Sequence, residues 1–188
     1  VTVARNGEET EVEGSDLISS MPINTFIQCL SPAAPDHVLE AARDLNYRDF
    51  IVVALILDHS DVFPDNWVYI HSTEVLVGRI QNFRNWSRDM VPDGNKCCIG
   101  MEYFCTKGDH LWGRTDEELL DLARKEIGEI GLALSDSVID GTVLRQPKAY
   151  PVYDESYQDR LQVIQAYVET LENVQTVGRA GMHRYNNQ

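Results

Sequence analysis

The sequence predicts an α+β fold in which about three helices pack on a mostly antiparallel sheet. Short segments of alternating apolar and polar residues are linked by turn residues such as those at 64–66 and 92–95. Strands joined by turns rather than helices pair antiparallel. Three further segments carry apolar residues at helical spacing. A doubly wound nucleotide-binding fold is not expected, because no GxGxxG fingerprint occurs.

The predicted strands begin with a hairpin, since residues 1–5 and 9–12 alternate around the Asn6-Gly7 step. Residues 50–57 form a continuous β-branched apolar run, which predicts an interior strand covered on both faces. The other strands are predicted at residues 17–22, 67–70, 75–83, 97–105, 138–148 and 174–177.

Three helices are predicted from their apolar stripes and start signals. The first covers residues 36–45 and begins after Pro35. The second begins at Thr115, where Glu118 completes a capping box. The third begins near Ser156.

Composition excludes several classes of function. The formal net charge is −14, so neither nucleic acid nor an anionic membrane is an expected partner, because both are bound through Lys and Arg. No secretory signal or apolar run of bilayer length is present. The four cysteines contain no CxxC pair, which predicts reduced, mostly buried thiols in a cytoplasmic protein and no metal. A disulfide or metal site is the alternative.

No catalytic motif is recognisable, so the catalytic residues stay unknown. The first candidate binding patch contains Arg79, Gln81, Phe83 and Trp86. Arg79, Gln81 and Phe83 are predicted on one strand face, where they would offer donors and an aromatic wall to a ligand. The alternative is the solvated side of an edge strand.

The second patch is a predicted loop centred on Pro151, with Tyr150 and Tyr153 on either side and Lys148 nearby. Tyrosine hydroxyls beside an ammonium group suit a phosphate or another polar ligand. The alternative is a loop that packs against the sheet.

The third patch follows the last predicted strand and contains Gly178, Arg179, Gly181 and Met182. Two glycines allow the backbone to approach a ligand closely, and an arginine can fork onto phosphate oxygens. The patch therefore predicts an anion-binding loop. A tight turn with a surface arginine is the competing interpretation.

This last run resembles a motif of the FAD-dependent amine oxidase superfamily. In that superfamily a strand near the C-terminus ends in a Gly-Arg or Gly-Asp step beside the FAD pyrophosphate. Residues 178–188 are similar to the version in UDP-galactopyranose mutase-like and protoporphyrinogen oxidase-like members. Further segments resemble the family hairpin and exit strand, the middle domain of bacterial relatives, and a substrate-side loop of the mutases: residues 4–22, 49–58, 63–67, 83–87 and 149–152.

The resemblance implies an internal fragment of a larger flavoprotein that contains its substrate-side domain. Residues 1–22 would belong to the FAD domain, residues 23–173 would form the substrate-side domain, and residues 174–188 would return to the FAD domain. FAD in the full-length parent would be held by Gly178, Arg179, Gly181 and Met182. The substrate would be bound by Arg79, Gln81, Phe83, Trp86, Tyr150, Tyr153, His183 and Tyr185.

The implied function is the substrate-binding portion of an FAD-dependent oxidoreductase, inactive alone because the Rossmann unit and the closing helix are missing. One alternative is a flavin-dependent mutase with a nucleotide-sugar substrate. The other is a free-standing ligand-binding domain, favoured by the missing fingerprint. The expected partners are a small-molecule substrate, the remaining FAD domain and a second copy of the chain, since exposed apolar surface favours self-association.

Overall fold

A computed structural model describes residues 1–186 and divides the chain into two compact units. The first contains residues 1–47 and the segment from Tyr150 onward, and the second contains residues 48–149. The predicted domain boundaries at residues 22/23 and 173/174 concern the parent protein and stay predictions.

A five-stranded sheet is the framework of the second unit. Its strand order is β5-β6-β7-β4-β8, and β7 pairs antiparallel with both β4 and β6. The strands are β4 (Tyr47–Leu57), β5 (Trp67–Tyr69), β6 (Arg79–Asn82), β7 (Cys97–Cys105) and β8 (Val138–Pro151). Turns link β4 to β5 and β5 to β6, as predicted, whereas the link from β6 to β7 also contains the short helix α3 (Phe83–Trp86).

One face of this sheet packs against α4 (Asp116–Glu129). The predicted capping box at Thr115 and Glu118 is present, and it satisfies amide groups at the start of the helix. The α4 side chains in the core are Leu119, Ala123 and Ile127. Alternate residues of the strands complete the core: Ile51, Val53, Leu55, Leu57, Ile80, Ile99, Met101 and Tyr103.

The other face of the sheet is only partly covered. Along β4 the odd-numbered residues 51–57 are buried, whereas Phe50, Val52, Ala54 and Ile56 are half-buried. The interior position predicted for residues 50–57 is confirmed, since β4 lies between β7 and β8, but the second face of the strand is covered only in part. A continuous apolar run does not distinguish a strand with two buried faces from one whose outer face is apolar but accessible.

The first unit contains the predicted hairpin and a small parallel sheet. Strands β1 (Thr2–Arg5) and β2 (Glu8–Glu11) turn at Asn6 and Gly7, both with positive φ. Strand β3 (Leu17–Ser19) pairs in parallel with β9 (Val174–Thr176). The helices of this unit are α1 (Ile23–Gln28), α2 (Asp36–Arg43), α5 (Tyr157–Val168) and α6 (Gly178–Gly181).

Helices α1, α2 and α5 share a second core. Their fully or almost fully buried side chains include Ile23, Ile27, Val38, Ala42 and Ile164. Pro35 stands at the start of α2 as predicted. Ser156 precedes α5 at the N-cap position, but its side chain makes no capping hydrogen bond.

The predicted fold class is confirmed, with more helices than expected. Residues 1–186 contain six α-helices, counting α3 (Phe83–Trp86) in the second unit. The three missed helices, α1, α3 and α6, have four to six residues each. A helix this short shows too few turns for an apolar stripe to repeat.

The cysteines are free thiols in different environments: Cys97 and Cys105 are buried, Cys98 is half-buried and Cys29 is exposed. The Cys97 thiol donates to Asn82 Oδ1 at 3.3 Å. Burial raises the pKa of Cys97 to about 11. The protonated form is therefore favoured, as expected for a structural thiol.

Candidate functional site

The partly covered face of the five-stranded sheet carries a group of polar and aromatic side chains. We call it the open sheet face and define it by Trp67, Tyr69, Arg79, Gln81 and Glu102. Tyr69 lies opposite Arg79 on the next strand, Arg79 lies opposite Glu102, and Trp67 lies opposite Gln81. Directly opposed residues of paired strands point to the same side of a sheet, so these side chains are neighbours.

Glu102 holds Arg79 and Gln81 together. The Arg79 guanidinium donates to Glu102 Oε2 from Nε at 2.7 Å and from Nη2 at 2.6 Å. Gln81 Nε2 donates to the other oxygen, Oε1. Only 17% of the Arg79 side chain and 1% of the Glu102 side chain are exposed, so little solvent screens this pair.

Aromatic rings flank the polar group. The Arg79 guanidinium carbon lies 5.7 Å from the centre of the Tyr69 ring. Trp67 and Trp86 stack with their centroids 5.2 Å apart and an interplanar angle of 16°, and each keeps nearly half of its surface exposed. The open sheet face thus presents accessible aromatic surface beside a fixed set of polar atoms.

Phe83 was predicted on the same strand as Arg79 and Gln81, and this is wrong. The residue begins α3, yet its ring still lies on the open sheet face. A Cβ added to Gly100 would lie 2.7 Å from Phe83 Cζ, and Gly100 is the residue opposite Gln81. The glycine therefore leaves the space that the phenylalanine ring fills.

The prediction of a loop around Pro151 is also wrong, because Tyr150 and Pro151 are the last two residues of strand β8. Near this end of the strand the Asp49 carboxylate accepts from the backbone N–H groups of Lys148 at 2.6 Å and Lys107 at 2.5 Å. Lys148 has a φ of 53°. The proline ring was interpreted as a turn, but an edge strand also tolerates it.

The predicted anion-binding loop forms a compact structure that we call the C-terminal turn, residues 178–186. Gly178 follows β9 with a φ of 76°, which favours glycine. A Cβ at Gly181 would lie 2.9 Å from the backbone oxygen of Ser19 at the end of β3. This glycine thus permits close approach to the chain's own backbone. Met182 is half-buried and donates its N–H to Gly178 O at 3.0 Å.

Gly181→Ala is expected to destabilise the first unit by about 1–3 kcal/mol, because a backbone oxygen cannot move aside as a flexible side chain can. Thermal unfolding followed by circular dichroism would measure the loss. Gly14→Ala is the matched control in the same unit, since its nearest atom would be 3.7 Å away. Equal stability of the two variants would contradict the prediction.

The Arg179 side chain lies beside two tyrosine rings. Its guanidinium carbon is 4.7 Å from the centre of Tyr150 and 5.1 Å from that of Tyr185. The two rings are stacked with centroids 5.9 Å apart. Arg179 Nε also donates to Asn186 O at 2.8 Å. These contacts hold the guanidinium in a defined orientation.

His183 is completely buried rather than exposed to a substrate. Its ring meets Tyr47 edge-on at 4.9 Å, and the rings of Tyr153 and Tyr157 are each 6.3 Å away. Within residues 1–186 neither ring nitrogen has a hydrogen bond of acceptable geometry. Burial lowers the pKa of His183, against the opposite effects of the Val152 backbone and the Asp154 carboxylate.

The predicted site residues form one group in each unit. Arg79, Gln81, Phe83 and Trp86 lie together on the open sheet face. Tyr150, Tyr153, Arg179, His183 and Tyr185 lie together around the C-terminal turn. Their roles in cofactor and substrate binding stay predictions.

Sequence reasoning missed Glu102, Trp67 and Tyr69. A single carboxylate within the mostly apolar run 97–105 was a usable signal, because a charge in a buried strand needs a partner. The identity of that partner depends on the strand register, which a single sequence does not specify.

Comparison with known proteins places the fold. No protein-family model matches the chain, and no curated protein matches it in sequence. The structure is similar to that of reduced UDP-galactopyranose mutase, with a TM-score of 0.77 and 20% identity over 96% of this chain and 38% of that one. It is also similar to a protoporphyrinogen oxidase-like protein from Exiguobacterium sp. 255-15, with a TM-score of 0.65 and 15% identity over 95% of this chain and 40% of that one.

Two further facts bear on the interpretation. Within residues 1–186 no helix is both long and apolar enough to cross a bilayer. The chain spans about two fifths of the length of the two solved structures. The resemblance inferred from residues 178–188, of which 187 and 188 lie outside the described residues, is confirmed at the level of fold: the chain folds like a part of these two proteins.

Proposed function

We propose that the chain is the substrate-side portion of an FAD-dependent oxidoreductase of the amine oxidase superfamily. The observation that carries the proposal is the fold similarity over 96% of the chain, together with the Arg179 turn at the end of β9. One of the two similar structures is a UDP-galactopyranose mutase and the other a protoporphyrinogen oxidase-like protein. Whether the reaction is that of a mutase or of an oxidase is a property of the full-length parent protein.

The residues of the C-terminal turn fit one end of a dinucleotide cofactor. The Arg179 guanidinium lies against the rings of Tyr150 and Tyr185 in this turn, and a planar guanidinium suits phosphate oxygens. The Ser19 hydroxyl, at the end of β3 beside Gly181, is buried and has no hydrogen-bond partner among residues 1–186. A buried hydroxyl of this kind indicates that a further group approaches here.

FAD would supply the redox or nucleophilic chemistry, as cofactors generally do. Gly178, Arg179, Gly181 and Met182 would hold its pyrophosphate end. The protein's own contribution is to bind and orient the substrate and to exclude water from it.

The open sheet face is proposed to take an uncharged part of the substrate. The positive charge of Arg79 is offset by Glu102, so this face offers little attraction to a phosphate. Its stacked indoles and fixed amide and guanidinium edges suit a ring that stacks and exchanges hydrogen bonds.

The small parallel sheet of the first unit is proposed to continue into the rest of the parent. Strands β3 and β9 are the only strands of their sheet within residues 1–186, and Ile18 in β3 is 67% exposed. Parallel strands normally occur in larger sheets with both faces covered. In the parent, the FAD domain would supply the neighbouring strands and would cover the faces of this sheet.

The test of the proposal is the visible spectrum of the purified full-length parent. An oxidised flavin should give its absorption bands in the visible region, before or after reconstitution with FAD. A colourless protein that takes up no flavin would reject the flavoenzyme proposal and favour a free-standing ligand-binding domain. That second candidate is favoured by one observation: residues 48–149 form a compact unit that contains the whole open sheet face.

Arg179→Ala in the parent is expected to weaken FAD retention by about 1–3 kcal/mol, through loss of a charge-assisted phosphate contact. The flavin remaining after gel filtration would measure it. Arg184→Ala is the matched control, because Arg184 belongs to the same turn and is exposed. Equal flavin occupancy in both variants would show that Arg179 serves packing instead.

Two assays separate the two chemistries. A mutase should convert a UDP-sugar only when its flavin is reduced. An oxidase should release peroxide when supplied with an amine or a porphyrinogen. Activity in one assay and not the other decides the class.

A further inference from the structure

The burial of His183 has a consequence for the position of Arg179. Tyr153 contacts His183 through its ring, and its hydroxyl accepts a hydrogen bond from the Tyr185 backbone N–H at 2.5 Å. Tyr185 in turn stacks on Tyr150, and both rings contact the Arg179 guanidinium. A continuous series of contacts therefore joins the buried imidazole to the arginine.

The surroundings of His183 are suited to a neutral ring. The facing titratable groups are the hydroxyls of Tyr47, Tyr153 and Tyr157 and the Asp154 carboxylate. Burial raises the pKa of Tyr47 to about 12, so that this hydroxyl stays protonated.

The carboxylate offers His183 little compensation for a positive charge. Asp154 already accepts from Asn46 Nδ2 at 2.8 Å, from Arg160 Nη1 at 3.2 Å and from the Ser156 backbone N–H at 3.1 Å. A carboxylate engaged with an arginine and two other donors gains less from a further cation. A protonated imidazole would thus remain buried with only the Val152 backbone to compensate its charge directly.

The backbone of His183 also favours release. Its φ is 47°, in the left-handed region that costs a non-glycine residue free energy. The residues that follow, Arg184 and Tyr185, are exposed. Movement of the His183 side chain into solvent would allow its backbone to leave the left-handed region. No other charged group would become buried in its place.

We propose that His183 is a positioning residue. When its ring is neutral, it fixes the C-terminal turn and with it the contacts among Tyr150, Arg179 and Tyr185; when the ring is protonated, it releases them. In acid the turn opens and Arg179 loses its defined orientation. The functional consequence for an anionic cofactor rests on the proposed function. The opening itself is a property of this chain and needs no flavin.

Hydrogen exchange of the chain between pH 7.5 and pH 5.0 tests this, after correction for the intrinsic pH dependence of exchange. The peptide covering residues 179–186 should exchange on the order of 10-fold faster at the lower pH, while peptides of α4 keep their protection. His183→Phe keeps an aromatic ring but cannot be protonated, so its exchange should not respond to pH. His183→Gln replaces it if His183→Phe leaves the first unit unfolded.

NMR of the imidazole gives an independent reading. The His183 signal, assigned by its absence from the His183→Phe spectrum, should titrate below about 6.5, the value of an unperturbed histidine. If protonation opens the turn, the open state binds the proton more tightly than the closed state does. The pKa of His183 in the closed turn must then lie below that of an exposed histidine. A midpoint at or above that value, pH-independent exchange of the wild-type turn, or an unchanged response in the neutral variants would each overturn the proposal. None of these measurements involves flavin binding, so their results are independent of whether the full-length parent shows a flavin spectrum.

Discussion

Replacing Glu126 by alanine is expected to destabilise the second unit by about 3–5 kcal/mol, because it leaves two backbone donors, one part-buried and one buried, without their charged acceptor. Glu126 lies in α4 and is 3% exposed. Its Oε1 accepts from the Leu76 N–H at 2.7 Å, and its Oε2 accepts from the Val77 N–H at 3.1 Å. The carboxylate thus fixes the segment that leads into β6, where Arg79 and Gln81 lie.

The neighbouring Tyr103 side chain is also completely buried. Burial, and after it the negative charge of Glu126, raise the pKa of the Tyr103 hydroxyl far above its ordinary value. Hydrogen bonds to a charged acceptor in such surroundings are stronger than exposed ones. Glu126→Gln keeps an acceptor oxygen and should cost only about 1–2 kcal/mol.

Urea unfolding followed by tryptophan fluorescence measures both variants. The three tryptophans, Trp67, Trp86 and Trp112, all lie in the second unit, so the signal reports the unit that contains Glu126. Glu129→Ala is the control on the same helix, because its ion pair with Lys125 is exposed and should be worth less than 1 kcal/mol. If Glu126→Ala costs no more than this control, the two backbone contacts are not stabilising.

Local rules predicted most of the framework. The Asn6-Gly7 hairpin and the capping box at Thr115 depend on residues a few positions apart, and both are present. Such features are readable because their cause lies within the segment itself. Segments such as α3 depend instead on packing with distant residues, here the space that Gly100 leaves for Phe83.

The candidate site was predictable in part for the same reason. Alternation placed Arg79 and Gln81 on one side of their strand, which the structure confirms. Their common partner Glu102 is 21 or more residues away in sequence, and only the register of β6 against β7 brings it there. The burial of His183 was missed because a histidine in a loop or at the end of an element is usually exposed.

The buried pair of Arg79 and Glu102 leads to the second large prediction. Glu102→Ala should destabilise the second unit by about 3–5 kcal/mol, because it leaves a mostly buried guanidinium without its carboxylate. Tryptophan fluorescence in urea reports this change as well. Arg124→Ala is the control, since its ion pair with Asp121 is more exposed and should be worth less than 1 kcal/mol.

The double variant Arg79→Met/Glu102→Leu separates stability from function. Removing both charges also removes their desolvation cost, so the double variant should be within about 1 kcal/mol of the wild type or more stable. If the ion pair were present to stabilise the fold, the double variant should instead lose as much free energy of unfolding as Glu102→Ala does. A stable double variant whose full-length parent no longer binds its ligand would show that the polar groups of the open sheet face take part in recognition. A stable double variant with unchanged substrate binding would instead assign the open sheet face no part in recognition.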